Sequence, residues 1–284
     1  MTTETSVRSV DMNRDKAVPA KDIISEIYDG RLDVAVVRAA FDPEMAQRLA
    51  EAADVATAGD TWSRPNAVVP SEDIYILGTD TPATPTCKAP RGASLAAYLE
   101  SAGKHAASAG ALTGSTFDAE LEIASLLREM AGGKPASVAL SGEGQRYVPY
   151  TLRLLKEGKQ ISVHHDYHYP LALYSDLSQR LDTTTLVSFF LTLQRPLEGG
   201  TLIVYGLDSD DPEQPVFPNG RWDLQAIENK YEAARFELNP GDVVFLAAGR
   251  RFHRVETIVG TRPRITLGGF LAFDKAREHV LFWS

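Results

Sequence analysis

The second half of the chain consists of short β-rich segments separated by too few residues for helical crossovers. From Tyr147 onward, runs of β-branched and aromatic residues alternate with glycine and proline turns such as Asn239-Pro240-Gly241-Asp242. Parallel strands need connections of about a dozen residues or more, and several of these gaps hold only a few. The spacing therefore argues against a parallel α/β sheet and predicts an antiparallel jelly-roll sandwich or barrel.

The strand-rich half also contains two predicted helices, around residues 171–181 and 224–234. Its first two strands flank the turn Glu157-Gly158, so we expect them to form a hairpin. The predicted strands cover residues 147–155, 160–167, 184–193, 201–205, 243–246, 251–259 and 264–273.

The first half of the chain has mainly helical patterns. Asp42-Pro43-Glu44 offers an N-cap, a first-turn proline and an acid, which predicts a helix to about residue 58 after a short strand at 34–37. Residues 60–92 contain five prolines and cannot form a continuous helix, so we expect a loop there, either a lid over a site or a surface excursion. Two further helices are predicted, around residues 94–109 and 117–130.

The polar first residues, and the change from helical patterns to short strands near Tyr147, suggest how the chain is organised. Residues 1–20 are expected to be a flexible N-terminus, and residues 21–284 a single domain. Within that domain, residues 21–140 would supply mainly helical support and the loop, and residues 141–284 the jelly-roll core.

Composition and charge exclude several classes of protein. The 284 residues include one cysteine, which makes neither an intrachain disulfide nor a four-cysteine metal site. Lys and Arg total 29 against 38 Asp and Glu, and the net charge of -9 repels nucleic acids and anionic lipid surfaces. No apolar stretch approaches the roughly 20 residues of a membrane span, and no secretory signal is evident. We expect a cytoplasmic protein without nucleic-acid or membrane partners, of unknown oligomeric state.

The pentapeptide His164-His165-Asp166-Tyr167-His168 is the strongest candidate for chemistry. Alternate strand residues share a face, so His164 and Asp166 point the same way and are able to bind one metal ion. His253, on a distant predicted strand, would complete a 2-His-1-carboxylate site of the kind that binds Fe(II). The alternative ligand is His168, although two residues four apart on an extended strand lie about 13 Å from each other.

Arg264 begins a predicted strand downstream of His253. A guanidinium inside a sandwich needs an anionic partner, and in an iron enzyme that uses 2-oxoglutarate this partner is the distal carboxylate of the cosubstrate. The alternative is a solvated residue at the sheet edge, which is what we expect of Arg250, Arg251, Arg254 and Arg262.

A set of short motifs resembles one known family. It is similar to the carrier-independent halogenases of hapalindole and welwitindolinone alkaloid pathways, a branch of the iron(II)/2-oxoglutarate oxygenases, over roughly residues 142–284 and more loosely before them. The motifs are Gly144-Gln145, residues 150–155, Glu157-Gly158, Val163-His164, Glu198-Gly199-Gly200, Val204-Tyr205, Pro240-Gly241-Asp242, Gly249-Arg250, His253-Arg254-Val255, Pro263-Arg264, residues 268–273 and Trp283-Ser284.

The resemblance implies a fold and a set of roles. The fold is a double-stranded β-helix, a cupin-like jelly-roll of the α+β, mainly β class, buttressed by N-terminal helices. His164 and His253 would bind iron, and Arg264 would anchor 2-oxoglutarate. Ser188 matches a serine that forms a hydrogen bond near the reactive oxygen. The matching Arg153, together with Thr266, is expected to belong to the cosubstrate pocket.

One departure from the family concerns the reaction. The halogenases have glycine where this chain has Asp166, and the missing carboxylate leaves room for halide. The resemblance therefore predicts a dioxygenase that uses Fe(II), 2-oxoglutarate and O2 to hydroxylate an unactivated C–H bond, with release of succinate and CO2. Halogenation or desaturation by related chemistry is an alternative.

The expected substrate is a freestanding small molecule of secondary metabolism, with no carrier protein. Ile161, Ile74 and Tyr75 are candidates to line its pocket, because matching regions approach the substrate in the family that the chain resembles. Two competing hypotheses are a cupin-like metal-binding protein or isomerase with the same ligands, and a zinc hydrolase that uses His164, Asp166 and His168.

Overall fold

A computed structural model describes residues 6–14, 22–56, 75–77, 95–96, 98–99, 102, 118–166, 176–182 and 184–284. The labelled helices in these ranges are α1 Ile23–Tyr28, α2 Pro43–Ala56, α3 Ala119–Met130 and α4 Leu224–Lys230. The strands are β1 Ser9–Asn13, β2 Val34–Arg38, β3 Tyr75–Leu77, β4 Ala136–Val138, β5 Thr151–Leu155, β6 Ile161–His164, β7 Val187–Gln194, β8 Glu198–Gly199, β9 Leu202–Asp208, β10 Ala233–Phe236, β11 Val243–Leu246, β12 Arg251–Val255, β13 Ile258–Val259, β14 Arg264–Phe273 and β15 Val280–Trp283.

Two mixed or antiparallel sheets form the body of the molecule. In the described residues, the larger sheet has nine strands, with β1-β2-β11-β7-β14-β15-β4 in order, β5 also paired with β14, and β3 paired with β5. The smaller sheet has the order β10-β9-β12-β6. This arrangement matches the predicted jelly-roll class, and nearly all pairs are antiparallel, as short connections require.

The central strands of the larger sheet are buried on both faces. On β11, Val244 and Leu246 pack with Leu202 and Val204 of the smaller sheet. Phe245, whose side chain has the opposite direction, packs in the cluster that also contains the apolar residues of α1, α2 and α3. Burial on both faces explains the unbroken apolar run of this strand. The molecule therefore has three layers: the helices, the larger sheet and the smaller sheet. The interior of the jelly-roll lies between the two sheets.

The predicted hairpin around Glu157-Gly158 is wrong. β5 pairs with β14 and β3 in the larger sheet, whereas β6 pairs with β12 in the smaller one. The turn, with Gly158 at a φ of 76°, carries the chain from one sheet to the other. Local strand propensity does not identify a strand's partner, and here both partners come from distant sequence.

Three other boundaries differ from expectation. Residues 9–13, within the segment expected to be flexible, form β1, which pairs in parallel with β2. The helix predicted to residue 234 ends at Lys230, because the next residues pair with β9 as strand β10. The strand predicted at 251–259 is divided into β12, in the smaller sheet, and β13, which pairs with β8 in a separate two-stranded sheet.

Arg251 is not solvated, contrary to expectation, but 1% exposed. Its Nε donates to Asp33 Oδ1 at 2.9 Å, and Arg250 donates to the same oxygen at 2.6 Å. Burial by itself would raise the pKa of Asp33, but the hydrogen bonds and charges of these arginines and the backbone N–H of Arg8 lower it. Asp33 precedes β2 and Arg251 begins β12, so this buried ion pair joins the two sheets.

Several expectations concern residues outside the described ranges. Of the loop at 60–92 only β3 is described, and of the helix at 94–109 only five positions, all helical. Of the helix expected at 171–181, the structure describes only residues 176–181. Among the described helices, none has the length and apolarity needed to cross a membrane.

Candidate metal centre

Two neighbouring strands of the smaller sheet bring the predicted ligands together. His164 of β6 and His253 of β12 are direct partners in the antiparallel ladder, so their side chains share a face. Their ring centroids lie 4.2 Å apart. Asp166 follows β6, with Oδ1 3.7 Å from His164 Nε2 and Oδ2 3.9 Å from His253 Nε2. One donor atom from each residue lies within 4.8 Å of the others, close enough to bind a single ion.

Hydrogen bonds orient the two imidazoles. His164 Nδ1 lies 2.7 Å from the carbonyl oxygen of Ser162, and His253 Nδ1 lies 3.0 Å from that of Arg251. A carbonyl oxygen only accepts, so Nδ1 donates in each ring and the neutral ring keeps a lone pair on Nε2. Both Nε2 atoms face the carboxylate of Asp166, which is the orientation that metal-binding histidines adopt.

The electrostatics of the two imidazoles favour the neutral form that binds a metal, whereas the carboxylate needs a cation beside it. Burial, with a contribution from the neighbouring His253, lowers the pKa of His164 to about 4. Burial likewise lowers the pKa of His253 to about 4, so both rings are neutral at pH 7. Burial raises the pKa of Asp166, and its Oδ1 has no hydrogen-bond partner among the described residues. A buried carboxylate oxygen without a donor is costly unless a cation approaches it, so the donor set fits a divalent ion.

A cavity between the two sheets extends from this triad to Arg264. The guanidinium of Arg264 lies 5.3 Å from the centre of the Phe190 ring, and the residue is 5% exposed. Burial, together with the positive charge of Arg153, lowers the pKa of Arg264 to about 10. The described residues that line the cavity are Arg153, Ile161, His164, Asp166, Ser188, Phe189, Phe190, Leu202, Leu246, His253, Val255, Arg264, Thr266, Gly268 and Gly269.

Most of the predicted site residues meet in this cavity. Ser188, Arg153, Thr266 and Ile161 line it with the triad and Arg264. Tyr75 lies in β3, opposite Leu154 in the ladder. Ile74 and His168 lie outside the described residues. The structure therefore does not test a metal site that uses His168.

Sequence reasoning missed the apolar walls of the cavity. Phe190 follows Ser188 by two residues on β7, so counting alternate positions from Ser188 would have found it. Val255 follows His253 by two residues on β12 and could have been found in the same way. Leu246 and Leu202 gave no comparable signal, because each belongs to a run of apolar residues that a buried strand shows on both faces.

With this jelly-roll fold and His-Asp-His site, the chain is an oxygenase of the iron(II)/2-oxoglutarate-dependent superfamily, as its family match shows. The sequence model of the carrier-protein-independent halogenase WelO5 family matches residues 7–284. The chain belongs to this family, which confirms the resemblance found in its motifs. No curated protein sequence shows significant similarity to the chain.

Several solved structures of low sequence identity are similar to this chain. The non-haem α-ketoglutarate-dependent carbocyclase SnoK of nogalamycin biosynthesis is 13% identical at a TM-score of 0.50, over 89% of this chain and 86% of that one. The epimerase SnoN, in complex with Fe3+, α-ketoglutarate and nogalamycin RO, is 17% identical at a TM-score of 0.49, over 87% and 82%. A Pseudomonas putida prolyl-4-hydroxylase is 13% identical at a TM-score of 0.44, over 87% and 96%.

Proposed function

We propose that the protein is an Fe(II)/2-oxoglutarate-dependent hydroxylase that acts on an unactivated C–H bond of a freestanding small molecule. The reaction would consume O2 and release succinate and CO2. Membership of the oxygenase family supports the class of chemistry. We infer hydroxylation, and not halogenation, from Asp166, whose carboxylate oxygens lie 3.7 and 3.9 Å from the Nε2 atoms of His164 and His253.

The triad would hold the iron. His164, Asp166 and His253 supply two neutral nitrogens and one anionic oxygen, which leaves open positions for a chelating cosubstrate and for O2. Iron and 2-oxoglutarate, when bound, supply an oxidant made from O2 that is strong enough to attack an unreactive C–H bond. In the halogenases that the chain resembles, glycine replaces the carboxylate and halide takes its place. Asp166 occupies that position, and its negative charge offsets one charge of the metal, as halide would.

Arg264 is suited to bind the distal carboxylate of 2-oxoglutarate. It is buried in the cavity, and no carboxylate pairs with it among the described residues. A guanidinium in such a place binds a carboxylate through two parallel hydrogen bonds. The ring of Phe190 supports the guanidinium, and Thr266 shares the cavity face of β14 and would assist the same carboxylate.

The remaining side chains would exclude water and position the substrate. Leu202, Leu246 and Val255 make apolar walls, which protect a reactive species from side reactions. The hydroxyl of Ser188 would donate a hydrogen bond close to the reacting atoms. Ile161, with Tyr75 and Ile74, would contact the substrate. The carrier-protein-independent family supports a free small molecule as that substrate.

A coupled assay tests the proposal. Protein loaded anaerobically with Fe(II) and 2-oxoglutarate is exposed to 18O2 with a panel of small metabolites, and both succinate and products are measured by mass spectrometry. We expect succinate with a product that gains one labelled oxygen atom, and loss of both in His164→Ala and His253→Ala. His279→Ala is the matched control, because His279 is exposed and does not line the cavity. Turnover that does not depend on the metal would contradict the proposal.

Arg264 separates the hydroxylase from a cupin-like metal-binding protein or isomerase with the same ligands. Loss of a charged hydrogen bond of about 1.5–3 kcal/mol should raise the 2-oxoglutarate concentration needed by Arg264→Gln roughly 10- to 100-fold. The cupin-like alternative predicts neither oxygen consumption nor any effect of 2-oxoglutarate in either protein.

A further inference from the structure

Arg153 belongs to β5, the strand that lies between β14 and β3 in the larger sheet, and it forms part of the wall of the cavity. In the β5–β14 ladder it is the direct partner of Thr266, and in the β5–β3 ladder it is the partner of Ile76. Direct partners point to the same face of a sheet, so Arg153 shares the face of Thr266. It lines the same cavity as the triad and Arg264.

The charge of Arg153 acts on both ends of the cavity. It lowers the pKa values of His164 and His253 at one end and that of Arg264 at the other. Its Nε is buried without a hydrogen-bond partner among the described residues. Among the described residues that line the cavity, Asp166 is the one carboxylate against two guanidinium groups, so the cavity is positive even before a metal ion is added.

A purely structural role does not account for this arrangement. Arg251 shows what a structural buried arginine looks like in this fold, with Nε bonded to Asp33 and Nη1 bonded to the carbonyl oxygen of Gly206. Arg153 has no such ion pair in the described part of the chain. A buried N–H of a cation without an acceptor is costly, and the cost falls when a ligand brings the acceptor.

We propose that Arg153 binds a second carboxylate in the cavity, distinct from the one that Arg264 binds. The inference rests on the proposed function, which assigns the carboxylate at Arg264 to the distal end of 2-oxoglutarate. The second carboxylate has two chemical sources: the keto-acid end of the cosubstrate, or a carboxylate of the primary substrate. Both fit a planar guanidinium beside a metal site.

Binding measurements separate the two sources. 2-Oxoglutarate is titrated calorimetrically, without oxygen, into Fe(II)-loaded wild type and into Arg153→Gln, Arg153→Lys and Arg264→Gln. Phenylacetate and its uncharged amide are then titrated into each protein saturated with 2-oxoglutarate. Arg235→Gln is the matched control, because Arg235 is exposed and pairs with Glu256 on the surface.

We expect Arg153→Gln to raise one dissociation constant at least about tenfold, with Arg153→Lys intermediate and Arg235→Gln unchanged. An effect on 2-oxoglutarate assigns the carboxylate to the cosubstrate, and the visible absorption band of the iron–keto acid chelate should then shift. An effect on phenylacetate but not on its amide assigns it to the substrate.

The result that overturns the inference is an unchanged affinity for 2-oxoglutarate together with no Arg153-dependent binding of phenylacetate. Circular dichroism and thermal unfolding establish that each variant is folded, and Arg153→Lys provides the comparison where Arg153→Gln is not. Failure of the proposed function looks different, because the wild type would then show no iron-dependent binding of 2-oxoglutarate at all.

Discussion

Asp166 lies against the Nε2 atoms of both His164 and His253, and one of its oxygens has no other partner in the described residues. In the proposed function, this single side chain takes the position that glycine leaves open in the halogenases which the chain resembles. The difference is one of ligand supply: a fixed carboxylate is present at every turnover, whereas halide must be bound from solution.

The first prediction follows from this position. In Asp166→Gly supplied with chloride, we expect weaker Fe(II) binding, by at least about tenfold, and some chlorinated product beside the hydroxylated one. The isotope pattern in the mass spectrum identifies it, and bromide should give the corresponding shift. Asp166→Asn is the control, because it removes the charge and keeps the side chain in place. Hydroxylated product alone at high chloride would indicate that the cavity has no room for halide.

The site was largely predictable at the scale of single residues. His164 and Asp166 follow from the alternation of a strand, and Arg264 follows from the cost of a buried cation. The sequence does not contain distances. Arg153 was expected in the cosubstrate pocket without a specific contact, and its place became clear only from its ladder positions opposite Thr266 and Ile76.

At the scale of elements, β14 is the strand on which the larger sheet depends. All of its ten residues are buried, and it pairs with β7, β5 and β15. It carries Arg264 and Thr266 at one end and two glycines in the middle, Gly268 and Gly269. A Cβ at Gly268 would overlap the backbone oxygen of Phe189 on β7, which cannot move without disrupting the ladder.

We therefore expect Gly268→Ala to destabilise the protein by about 1–3 kcal/mol, as overpacking of a core does. Chemical denaturation measured by fluorescence gives the change in the free energy of unfolding. Gly142→Ala serves as the comparison, since a Cβ there meets only a side-chain oxygen of Asp176 at 3.2 Å. Equal stabilities of the two variants would mean that β7 and β14 adjust more easily than their pairing suggests.

The ion pair of Asp33 and Arg251 connects the two sheets, and it gives a prediction about the free energy of unfolding. Asp33→Asn removes the closer carboxylate partner of the buried Arg251, which keeps only Asp208 at 3.4 Å, and should cost roughly 3 kcal/mol of unfolding free energy at pH 7. The pKa of Asp33 is lower in the folded protein than in the unfolded chain. Its contribution to the free energy of unfolding is therefore fully present above the ordinary carboxyl pKa, and it is lost as the pH falls through the lowered pKa of the folded state.

The difference between wild type and Asp33→Asn should thus narrow below about pH 4. Denaturant unfolding at a series of pH values measures it. Asp11→Asn, which removes a more exposed carboxylate paired with Arg38, is expected to change stability by less than about 1 kcal/mol. A gap that stays constant down to pH 3 would argue against an ionised Asp33.

Elements were predicted better than their pairing. The strands at 243–246 and 264–273 have the predicted bounds, and glycine or proline residues mark where each begins. The expected hairpin at Glu157-Gly158 failed, since a short turn joins strands of one sheet or of two facing sheets equally well. Which of these occurs depends on partners elsewhere in the chain, such as β14 for β5 and β12 for β6.

At the scale of the whole molecule, the metal site joins residues of one sheet and the proposed carboxylate site lies on the other. Ligands that bind across the cavity should therefore stabilise the entire sandwich. A ligand present at 100 times its dissociation constant adds about 2.7 kcal/mol, which corresponds to a rise of roughly 4–5 °C in the melting temperature of a chain of this length.

We expect this rise when Fe(II) and 2-oxoglutarate are added to chelator-treated protein without oxygen, with differential scanning calorimetry as the measurement. His253→Ala should show almost none of it, whereas His279→Ala should behave as the wild type. A chelator that leaves the melting temperature of the loaded wild type unchanged would contradict a metal ion at this site.

The pairing of His253 with His164 across β12 and β6 also orders events during biosynthesis. The ribosome completes His164 and Asp166 well before it reaches His253, and the ladder that aligns the rings needs β12 in full. A nascent chain therefore offers ferrous iron only half a site. We therefore expect tight metal binding only after the later strands have been translated.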